Sequence, residues 1–324
     1  MREIKHSKDS IYDLMRGDCV EIGTTRYLVE RVARGGMGLV YLLRSESFAL
    51  ASSIIDRQRI ALKVPILSDI DESAITSFKR ELALWAGFNH PCVLPLDEIL
   101  IADGDRWVAS MEWCHGSLRD IIKQQGRIPV DEACEILLQV ISALNYAQKA
   151  YGIIHLDIKP ENILYRYGGY FISDWGIASL KQNKLNKALW SVCPSSANGR
   201  TLNNVGTLAY MAPERFIQGY TSSTVSDVFS LGVTFIELIS GSLPFDTQAD
   251  MLSQLRSGEY LNRAARLCAP LNLHKDLNAA IACCLVQEPK SRWKDYERLH
   301  VFFNTGKKTP HKQQSIFNKL SKHL

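Results

Sequence analysis

This chain lacks the features of an exported, disulfide-bonded or membrane-spanning protein. Its first ten residues are mostly polar and charged, which argues against a signal peptide. Its most apolar run, residues 229–239, contains Glu237 and is too short to cross a bilayer. Its eight cysteines show no Cys-x-x-Cys spacing, and Cys283 and Cys284 are adjacent. We therefore expect a reduced, cytoplasmic protein rather than a disulfide scaffold.

A large excess of charge of either sign is also lacking. The 38 lysines and arginines against 34 acidic residues give a net charge of +4, which does not indicate a nucleic-acid partner. Residues 304–324 hold five lysines and no acid. Apolar residues of this tail, such as Phe317 and Leu320, could share one helical face, which gives a weak chance of membrane-surface contact. We favour a tail that packs on its own domain or stays disordered.

Apolar periodicity predicts strands in the first part of the chain. Residues 26–31 and 39–43 alternate as a pair of strands on either side of a glycine-rich turn. Residues 92–101 and 106–112 predict two more strands, joined by a turn at Asp103 and Gly104.

Helical spacing prevails after Ser117. Residues 131–146 carry apolar side chains at helical intervals behind a start signal that includes Pro129. A short hairpin interrupts the helices, with strands at 163–167 and 170–173 around Gly168 and Gly169. The pattern predicts an α+β protein with a strand-rich beginning.

The most informative stretch is HLDIKPEN at residues 155–162, followed by Asp174, Trp175 and a glycine. It places Asp157 two residues before Lys159 and five before Asn162. One carboxylate can accept or orient a hydroxyl proton, while an amide and a second carboxylate hold Mg²⁺ through oxygen. Such a set suits the transfer of an already activated phosphoryl group, which mainly requires positioning and charge neutralisation.

Other motifs surround this stretch in a consistent order, although each one alone has a purely structural interpretation. Glycine-rich turns, for instance, usually only bend the chain. Here such a turn precedes a strand with Lys63, whose apolar neighbours suggest burial, and a helical stretch with Glu81 as its natural partner. The accompanying motifs are VARGGMGLVY at 32–41, GTLAYMAPE at 206–214, DVFSLG at 227–232 and EPKSRW at 288–293.

Taken in sequence, these motifs resemble the eukaryotic-type (Hanks) protein kinases over roughly residues 27–303. The GGMGxVY form of the glycine-rich turn is similar to the bacterial serine/threonine branch. The resemblance implies a two-lobed α+β fold. It assigns 27–111 to a small β-rich N-lobe with one regulatory helix and 112–303 to a larger helical C-lobe. Residues 1–26 become an N-terminal extension and 304–324 a basic tail.

The resemblance also implies roles for individual residues, with ATP and Mg²⁺ bound (Mn²⁺ is an alternative). Asp157 is the catalytic carboxylate, Lys159 steadies the migrating phosphoryl group, and Lys63 paired with Glu81 grips phosphates. Met111 is the gatekeeper of the adenine site. The implied metal ligands are Asn162 and Asp174. The implied nucleotide-binding residues are Val32, Ala33, Arg34, Gly35, Gly36, Met37, Gly38, Val40, Ala61, Lys63, Met111, Glu112, Cys114 and Leu164.

Several family positions are implied to be structural. His155 takes no part in proton transfer, and Asp227 caps backbone amides near the catalytic loop. Glu214 and Arg292 form a buried ion pair. Thr207 hydrogen-bonds the catalytic carboxylate and lysine, as in serine/threonine kinases.

This sequence also departs from the family pattern. Alanine replaces the usual first glycine of the turn at Ala33, which is tolerated where φ is negative. Leucine replaces the usual arginine at Leu156, so a basic pocket for a phosphorylated activation segment is depleted. Residues 181–204 form a basic insertion in that segment. We interpret it as a solvated loop rather than a docking site for an acidic partner.

Three functions of different classes fit the motifs. An active cytoplasmic serine/threonine protein kinase, which acts on protein substrates and autophosphorylates, has the most support. A pseudokinase would be indicated by loss of Lys63, Asp157, Asn162 or Asp174, and all four are present. A small-molecule phosphotransferase of the aminoglycoside or choline kinase type shares the carboxylate and amide, but the motif at 206–214 favours a polypeptide substrate.

With leucine at Leu156, we expect activity to depend little on phosphorylation of the activation segment, because one cation that would bind the phosphate is missing. Such a charge-assisted bond typically contributes about 1.5–3 kcal/mol. Initial rates of phosphatase-treated enzyme and of a variant with alanine at four hydroxyls should both stay near normal. Those hydroxyls are Ser191, Ser195, Ser196 and Thr201.

The rival hypothesis is that another cation restores a phosphate switch. Its candidates are Lys181, Lys184, Lys187 and Arg200. A rate loss of about tenfold or more, equivalent to about 1.4 kcal/mol in the barrier, would support that rival and rule out the switch-free interpretation.

Overall fold

The computed structural model describes residues 1–35, 38–46, 59–65, 78–79, 82–175, 208–217, 220, 223–246, 250–293 and 295–305. These residues belong to two compact units. The first consists of Met1–Asn89 and Leu94–Cys114, and the second of His90–Val93 and His115–Leu324. Some predicted features lie outside the described residues: Gly36, Met37, Glu81, Thr207, the insertion 181–204 and the tail from 306 onward.

The first unit is built on an antiparallel sheet with the strand order β1-β2-β3-β4-β5-β7-β6. Its edge strands meet where Glu3 forms a bridge with Ile101, so the sheet curls toward closure. Helical residues 82–86 precede β6. The strands are β1 (Ile4–His6), β2 (Cys19–Ile22), β3 (Thr25–Gly35), β4 (Gly38–Ser45), β5 (Arg59–Pro65), β6 (Leu96–Ala102) and β7 (Arg106–Glu112).

The predicted strand pair around the glycine-rich turn is confirmed by β3 and β4, which pair from Tyr27 opposite Ser45 to Gly35 opposite Gly38. The predicted turn between β6 and β7 is confirmed as well. Asp103 and Gly104 both have positive φ there, 48° and 84°. Aspartate and glycine suit such a turn because they tolerate left-handed backbone better than most residues.

The strand predicted at 92–101 is wrong at its beginning, since β6 starts only at Leu96. The Cys92 carbonyl instead accepts the N–H of Ile172 at 2.9 Å, within the second unit. Pro95 stands immediately before β6 and has no N–H to donate to a strand ladder. A single apolar run is therefore divided between two units.

Residues 1–26, predicted as an N-terminal extension, contribute β1 and β2 to the sheet. Between these strands, Ile11 is fully buried and its carbonyl accepts the Tyr41 hydroxyl at 2.7 Å. Asp103 receives the N–H of Ile11 at 3.0 Å and His6 Nε2 at 2.7 Å. The segment is thus part of the first unit's core rather than a detached arm.

The second unit is mostly helical. A small antiparallel sheet in the order β10-β9-β8 accompanies the helices. Its strands are β8 (Gly116–Ser117), β9 (Ile163–Arg166) and β10 (Gly169–Ile172). Its helices are α1 (Leu118–Gln125), α2 (Val130–Tyr151), α3 (Thr224–Ser240), α4 (Met251–Ser257), α5 (Tyr260–Cys268), α6 (Lys275–Leu285) and α7 (Tyr296–Thr305). A β-rich unit and a helical unit confirm the predicted α+β class.

Two predictions for the second unit can be compared with its elements. The helix predicted at 131–146 is confirmed as α2, which continues to Tyr151 and ends at Gly152 with φ of 67°. The hairpin is confirmed, but the turn predicted at Gly168-Gly169 is wrong by one residue. Tyr167 and Gly168 are the central residues, at φ of 45° and 83°, because this turn type needs positive φ at both.

The most apolar run of the sequence lies in α3, whose residues 225–239 are all buried. A helix that is buried on every side is expected at the centre of a helical unit. Within the described part of the chain, no helix combines the length and apolar character needed to span a membrane.

Gly232 on α3 allows a close approach of α6. A Cβ placed there would lie 2.6 Å from Cys284 Cβ and 3.1 Å from Leu285 Cδ2. Both neighbours are buried, so neither can move aside freely. The absence of a side chain at this position therefore sets the packing of the two helices.

We predict that Gly232→Ala lowers the free energy of unfolding by about 1–3 kcal/mol through overpacking. The sign is diagnostic, because helix propensity alone would raise stability by roughly 1 kcal/mol. Denaturant unfolding checks it. In a Cys284→Gly background the same substitution should become neutral or stabilising, and a stabilised Gly232→Ala single variant would contradict the packing argument.

Candidate active site

The loop between α2 and β9 carries three predicted catalytic or metal-binding side chains. Lys159 Nζ lies 3.0 Å from each oxygen of the Asp157 carboxylate. The Asn162 amide nitrogen donates to Asp157 Oδ2 at 2.9 Å and to the Asp157 carbonyl at 2.7 Å. The Lys159 and Asp157 side chains are only 12% and 11% exposed. A carboxylate, a cation and an amide are therefore brought together with little water around them.

Local chain geometry produces this convergence. Pro160 begins a short 3-10 helix, Pro160–Asn162, in which the Asn162 N–H donates to the Lys159 carbonyl at 3.0 Å. Proline suits the first position because its φ is already set and its missing N–H is not needed there. The turn points Asn162 back at Asp157. Since the amide nitrogen is used on Asp157, the amide oxygen is the atom that can coordinate a cation.

The β9–β10 hairpin positions the second carboxylate. Its ladder joins the start of β9 to the end of β10, so Asn162 lies beside Ser173. The Ser173 N–H and hydroxyl both donate to the Asn162 carbonyl, at 2.9 and 3.1 Å. Asp174 follows directly with φ of 63°, a left-handed conformation that aspartate tolerates better than most residues. The hairpin therefore brings the backbones of the two predicted metal ligands close together.

Asp227 near the start of α3 fixes the backbone that leads into the catalytic loop. Its fully buried carboxylate accepts the N–H of His155 at 2.9 Å and that of Leu156 at 2.7 Å. The Tyr296 hydroxyl donates to it at 3.0 Å. Burial raises the pKa of the Asp227 carboxyl, while His155 and the two backbone donors act in the opposite direction. The predicted capping of backbone amides by Asp227 is confirmed.

His155 is buried and bonded on both ring nitrogens. Its Nε2 donates to the Ser173 carbonyl at 2.9 Å, and its Nδ1 accepts the Asp157 N–H at 3.3 Å. The ring also packs edge-on against Trp175, with centroids 4.9 Å apart. These contacts tie the catalytic loop to the residues after β10, in agreement with a structural role.

Leu156 has an unusual backbone conformation. Its φ is 62°, although it is a bulky residue and only 5% exposed. Left-handed backbone typically costs a non-glycine residue about 1–2 kcal/mol, so surrounding contacts must hold it. Arg215 Nη1 donates to the Leu156 carbonyl at 2.6 Å. Burial lowers the pKa of the Arg215 guanidinium, whereas the carboxylates of Asp227 and Asp157 raise it.

The predicted ion pair between Glu214 and Arg292 is confirmed. Arg292 Nη1 lies 2.7 Å from Glu214 Oε1, and the two side chains are 0% and 1% exposed. The Ser226 hydroxyl also donates to Glu214 Oε1 at 2.9 Å. The guanidinium lies over the Phe229 ring, 5.0 Å from its centroid. These contacts anchor the 3-10 helix Pro213–Phe216 against the second unit's core.

A second ionic cluster lies beside the catalytic loop and was not predicted. Arg119 on α1 donates to Glu161 at 2.7 Å and to both Glu237 oxygens at 2.8 and 3.1 Å. Burial acts to lower the pKa of Arg119, but these carboxylates and Tyr210 raise it above its ordinary value. The cluster ties α1, the catalytic loop and α3 together. Its partners lie up to 118 positions apart, a separation that sequence patterns do not reveal.

In the first unit, several predicted nucleotide-binding residues share one face of the sheet. The ladder pairs Ala33 with Val40, Val40 with Lys63, and Ala61 with Met111. Opposed residues and alternate residues along a strand lie on one face. Lys63 and Met111 are each only 6% exposed.

The remaining predicted residues of the first unit lie around this row. Val32 pairs with Tyr41 and Arg34 with Leu39, so these two belong to the alternate row. Gly35 and Gly38 close the β3–β4 ladder. Glu112 ends β7, and Cys114 lies two positions beyond it. Ala33 lies within β3 and its φ is not positive, so alanine causes no strain there.

In the second unit, Leu164 lies on β9 opposite Phe171 and is partly buried. The described residues contain no group of three or more His, Cys, Asp or Glu placed to hold a metal ion. The Asn162 oxygen and the Asp174 carboxylate form a smaller set. Such oxygen ligands fit a hard cation that takes its other ligands from water and phosphate.

Comparison with known proteins gives a consistent result. A family model described as "Protein kinase domain" matches residues 28–303. The chain is 27% identical over 310 residues to "Probable serine/threonine-protein kinase PknB" of Lactococcus lactis, covering 92% of this chain and 45% of that protein. It is 28% identical over 285 residues to "Serine/threonine-protein kinase PrkC" of Bacillus subtilis, covering 87% and 40%.

A third relative, "Serine/threonine-protein kinase PknE" of Mycobacterium bovis, is 31% identical over 271 residues, covering 81% of this chain and 42% of that protein. The chain therefore spans less than half the length of these curated relatives. The similarity covers 81–92% of this chain and leaves more than half of each longer protein unmatched.

Proposed function

Because this chain belongs to the protein kinase family, we propose that it transfers the γ-phosphoryl group of ATP to serine and threonine hydroxyls of protein substrates. The observation that carries this proposal is the contact of Lys159 and Asn162 with the Asp157 carboxylate, at 2.9–3.0 Å. That arrangement supplies a proton acceptor, a charge stabiliser and a cation ligand within one loop.

In the proposed reaction, Asp157 orients the substrate hydroxyl and accepts its proton. The hydroxyl oxygen forms a bond to the γ-phosphorus while the bond from that phosphorus to the ADP oxygen breaks. Lys159 donates to Asp157 in the free protein, and its ammonium group would neutralise charge on the phosphoryl group in transit. Their low exposure strengthens both electrostatic effects by limiting solvent screening.

The Asn162 oxygen and the Asp174 carboxylate are the proposed ligands for Mg²⁺, with Mn²⁺ as an alternative. A divalent ion bound there would neutralise negative charge on the phosphates. These two residues suit it because their backbones are held together through Ser173. The backbone positions that carry the two side chains are therefore fixed before the ion binds.

For the nucleotide itself, we propose that Lys63 contacts the phosphates, with Glu81 as its ion-pair partner. Backbone N–H groups of residues 32–38 would cradle the phosphates. Val40, Ala61 and Leu164 would contact the adenine, with Met111 as gatekeeper. The backbone of Glu112 and Cys114 would bond the adenine edge. Burial of Lys63 supports this assignment, because a lysine is rarely buried without a charged or polar partner.

We further propose autophosphorylation and a reducing compartment such as the cytoplasm. The seven cysteines that the structure describes are all free thiols, which agrees with such a compartment. Protein substrates are the proposed partners, and no nucleic-acid partner is proposed, in keeping with the modest charge of +4.

We predict that Lys63→Met and Asp174→Asn each lower kcat/KM for phosphorylation of a protein substrate by about 100-fold or more. The lysine variant loses phosphate positioning, and a neutral amide is a poorer ligand for a hard cation. Initial rates at saturating Mg²⁺ measure the effect. The thermal midpoint should stay close to that of the wild type, because little core packing changes.

Matched controls are Lys149→Met and Asp246→Asn, whose side chains are 57% and 49% exposed and form surface ion pairs. Both controls should keep wild-type rates, since exposed pairs contribute little. Full activity of Lys63→Met and Asp174→Asn would contradict the site assignment. An inactive wild type under varied metals and substrates would instead favour a pseudokinase.

A further inference from the structure

Leu156, the residue immediately before Asp157, is held at both of its backbone polar groups. On its N-terminal side, the Leu156 N–H donates to Asp227 at 2.7 Å. On the other side, the Leu156 carbonyl accepts from Arg215 at 2.6 Å. Between these two bonds lies the left-handed backbone of Leu156, at φ of 62°. The direction in which the Asp157 side chain projects from the backbone depends on this conformation.

Arg215 is buried within the second unit and does not lie on its surface. It lies in the 3-10 helix Pro213–Phe216, next to Glu214, whose buried pair with Arg292 anchors that helix. The Arg215 side chain belongs to a residue only 8% exposed, and it lines the same small pocket as Asp157. Burying a cation whose hydrogen-bond partner is a neutral carbonyl costs free energy unless nearby carboxylates stabilise its charge.

Carboxylates around Arg215 provide this stabilisation. The carboxylates of Asp227, Asp157 and Glu214 all act on its guanidinium. The carboxylate that caps the loop and the carboxylate proposed as the proton acceptor therefore both stabilise the charge of this buried cation. Arg215 comes from a segment 59 positions after Leu156, whereas Lys159, which contacts the acceptor directly, belongs to the loop itself.

We propose that Arg215 is a positioning residue for phosphoryl transfer, because its bond to the Leu156 carbonyl holds the left-handed backbone that orients Asp157. This inference rests on the proposed kinase function. Arg215 touches neither nucleotide nor hydroxyl in this role. Loss of the bond lets Leu156 relax toward ordinary backbone, and Asp157 then moves away from the position in which it can accept the proton.

The first test measures kinetics. Arg215→Met should lower kcat by about 10–100-fold with KM for ATP changed less than about threefold, since misplacement of a reacting group of the order of 1 Å costs about that much. Arg215→Lys, which keeps a charged donor, should retain kcat within about fivefold. The matched control is Arg263→Met, because Arg263 also donates to a backbone carbonyl and a carboxylate but lies on α5.

A second-site variant separates positioning from mere stability. Leu156→Gly removes the strain of a left-handed residue, so it should recover about tenfold in kcat when added to Arg215→Met, measured per folded enzyme. A general loss of stability would not be repaired this way, because glycine also removes a buried side chain. If Arg215→Met does not fold, Arg215→Leu, which also lacks a hydrogen-bond donor, replaces it with the same expectations and the same rescue.

Hydrogen–deuterium exchange supplies a readout that does not depend on activity. Amides in the peptide covering residues 155–162 should exchange at least about tenfold faster in Arg215→Met, but not in Arg215→Lys or Arg263→Met. A wild type without kinase activity would refute the proposed function, and the exchange result would still decide whether Arg215 holds the loop.

Four results would overturn the inference. The first is an unchanged kcat in Arg215→Met, and the second is a loss equal to that in Arg263→Met. The third is unchanged exchange of the 155–162 peptide together with no rescue by Leu156→Gly. A change confined to KM for ATP would also reject it, because nucleotide binding is not the step that Arg215 is proposed to support.

Discussion

The capping of the His155 and Leu156 amides by Asp227 is the interaction on which the catalytic loop depends. A fully buried carboxylate is costly, and the cost is offset only where donors surround it. Two backbone N–H groups and the Tyr296 hydroxyl provide them. Asp227 lies on α3, the most deeply buried helix of the second unit, and two of its donors belong to the loop. The loop is therefore fixed to α3 before any ligand binds.

A series of hydrogen bonds connects Asp227 to the reacting groups. His155 donates to the Ser173 carbonyl. Ser173, which directly precedes Asp174, donates through its hydroxyl to the Asn162 carbonyl. Asn162 and Lys159 in turn contact Asp157. No side chain in this series has to be ordered by substrate, which is the condition under which electrostatic stabilisation is most effective.

The sequence predicted those parts of the fold that local pattern controls. Helix α2 and the β3–β4 pair follow from apolar periodicity, and the Glu214–Arg292 pair follows from family resemblance. The beginning of β6 was mispredicted because an apolar run does not reveal that it is divided between two units. Residues 1–26 gave too short a periodic signal to show that their strands join a sheet.

The features of the site that the sequence did not predict all depend on contacts between residues that are distant in sequence. The positive φ at Leu156 is accompanied by bonds to Asp227 and Arg215, which are distant in sequence, whereas leucine itself disfavours that conformation. Arg215 itself looks like any polar residue at the end of a motif. Arg119 is equally hidden, since its partners Glu161 and Glu237 become neighbours only in the fold.

The central claim is that Asp157 is the carboxylate on which phosphoryl transfer depends. It is tested most directly by incubating purified wild-type protein and its Asp157→Asn variant with labelled ATP, Mg²⁺ and a generic protein substrate. The account predicts transfer of label to substrate hydroxyls by the wild type and a loss of about 100-fold or more in the variant, since asparagine fills the same space but cannot accept the proton. Equal transfer by both proteins would contradict it.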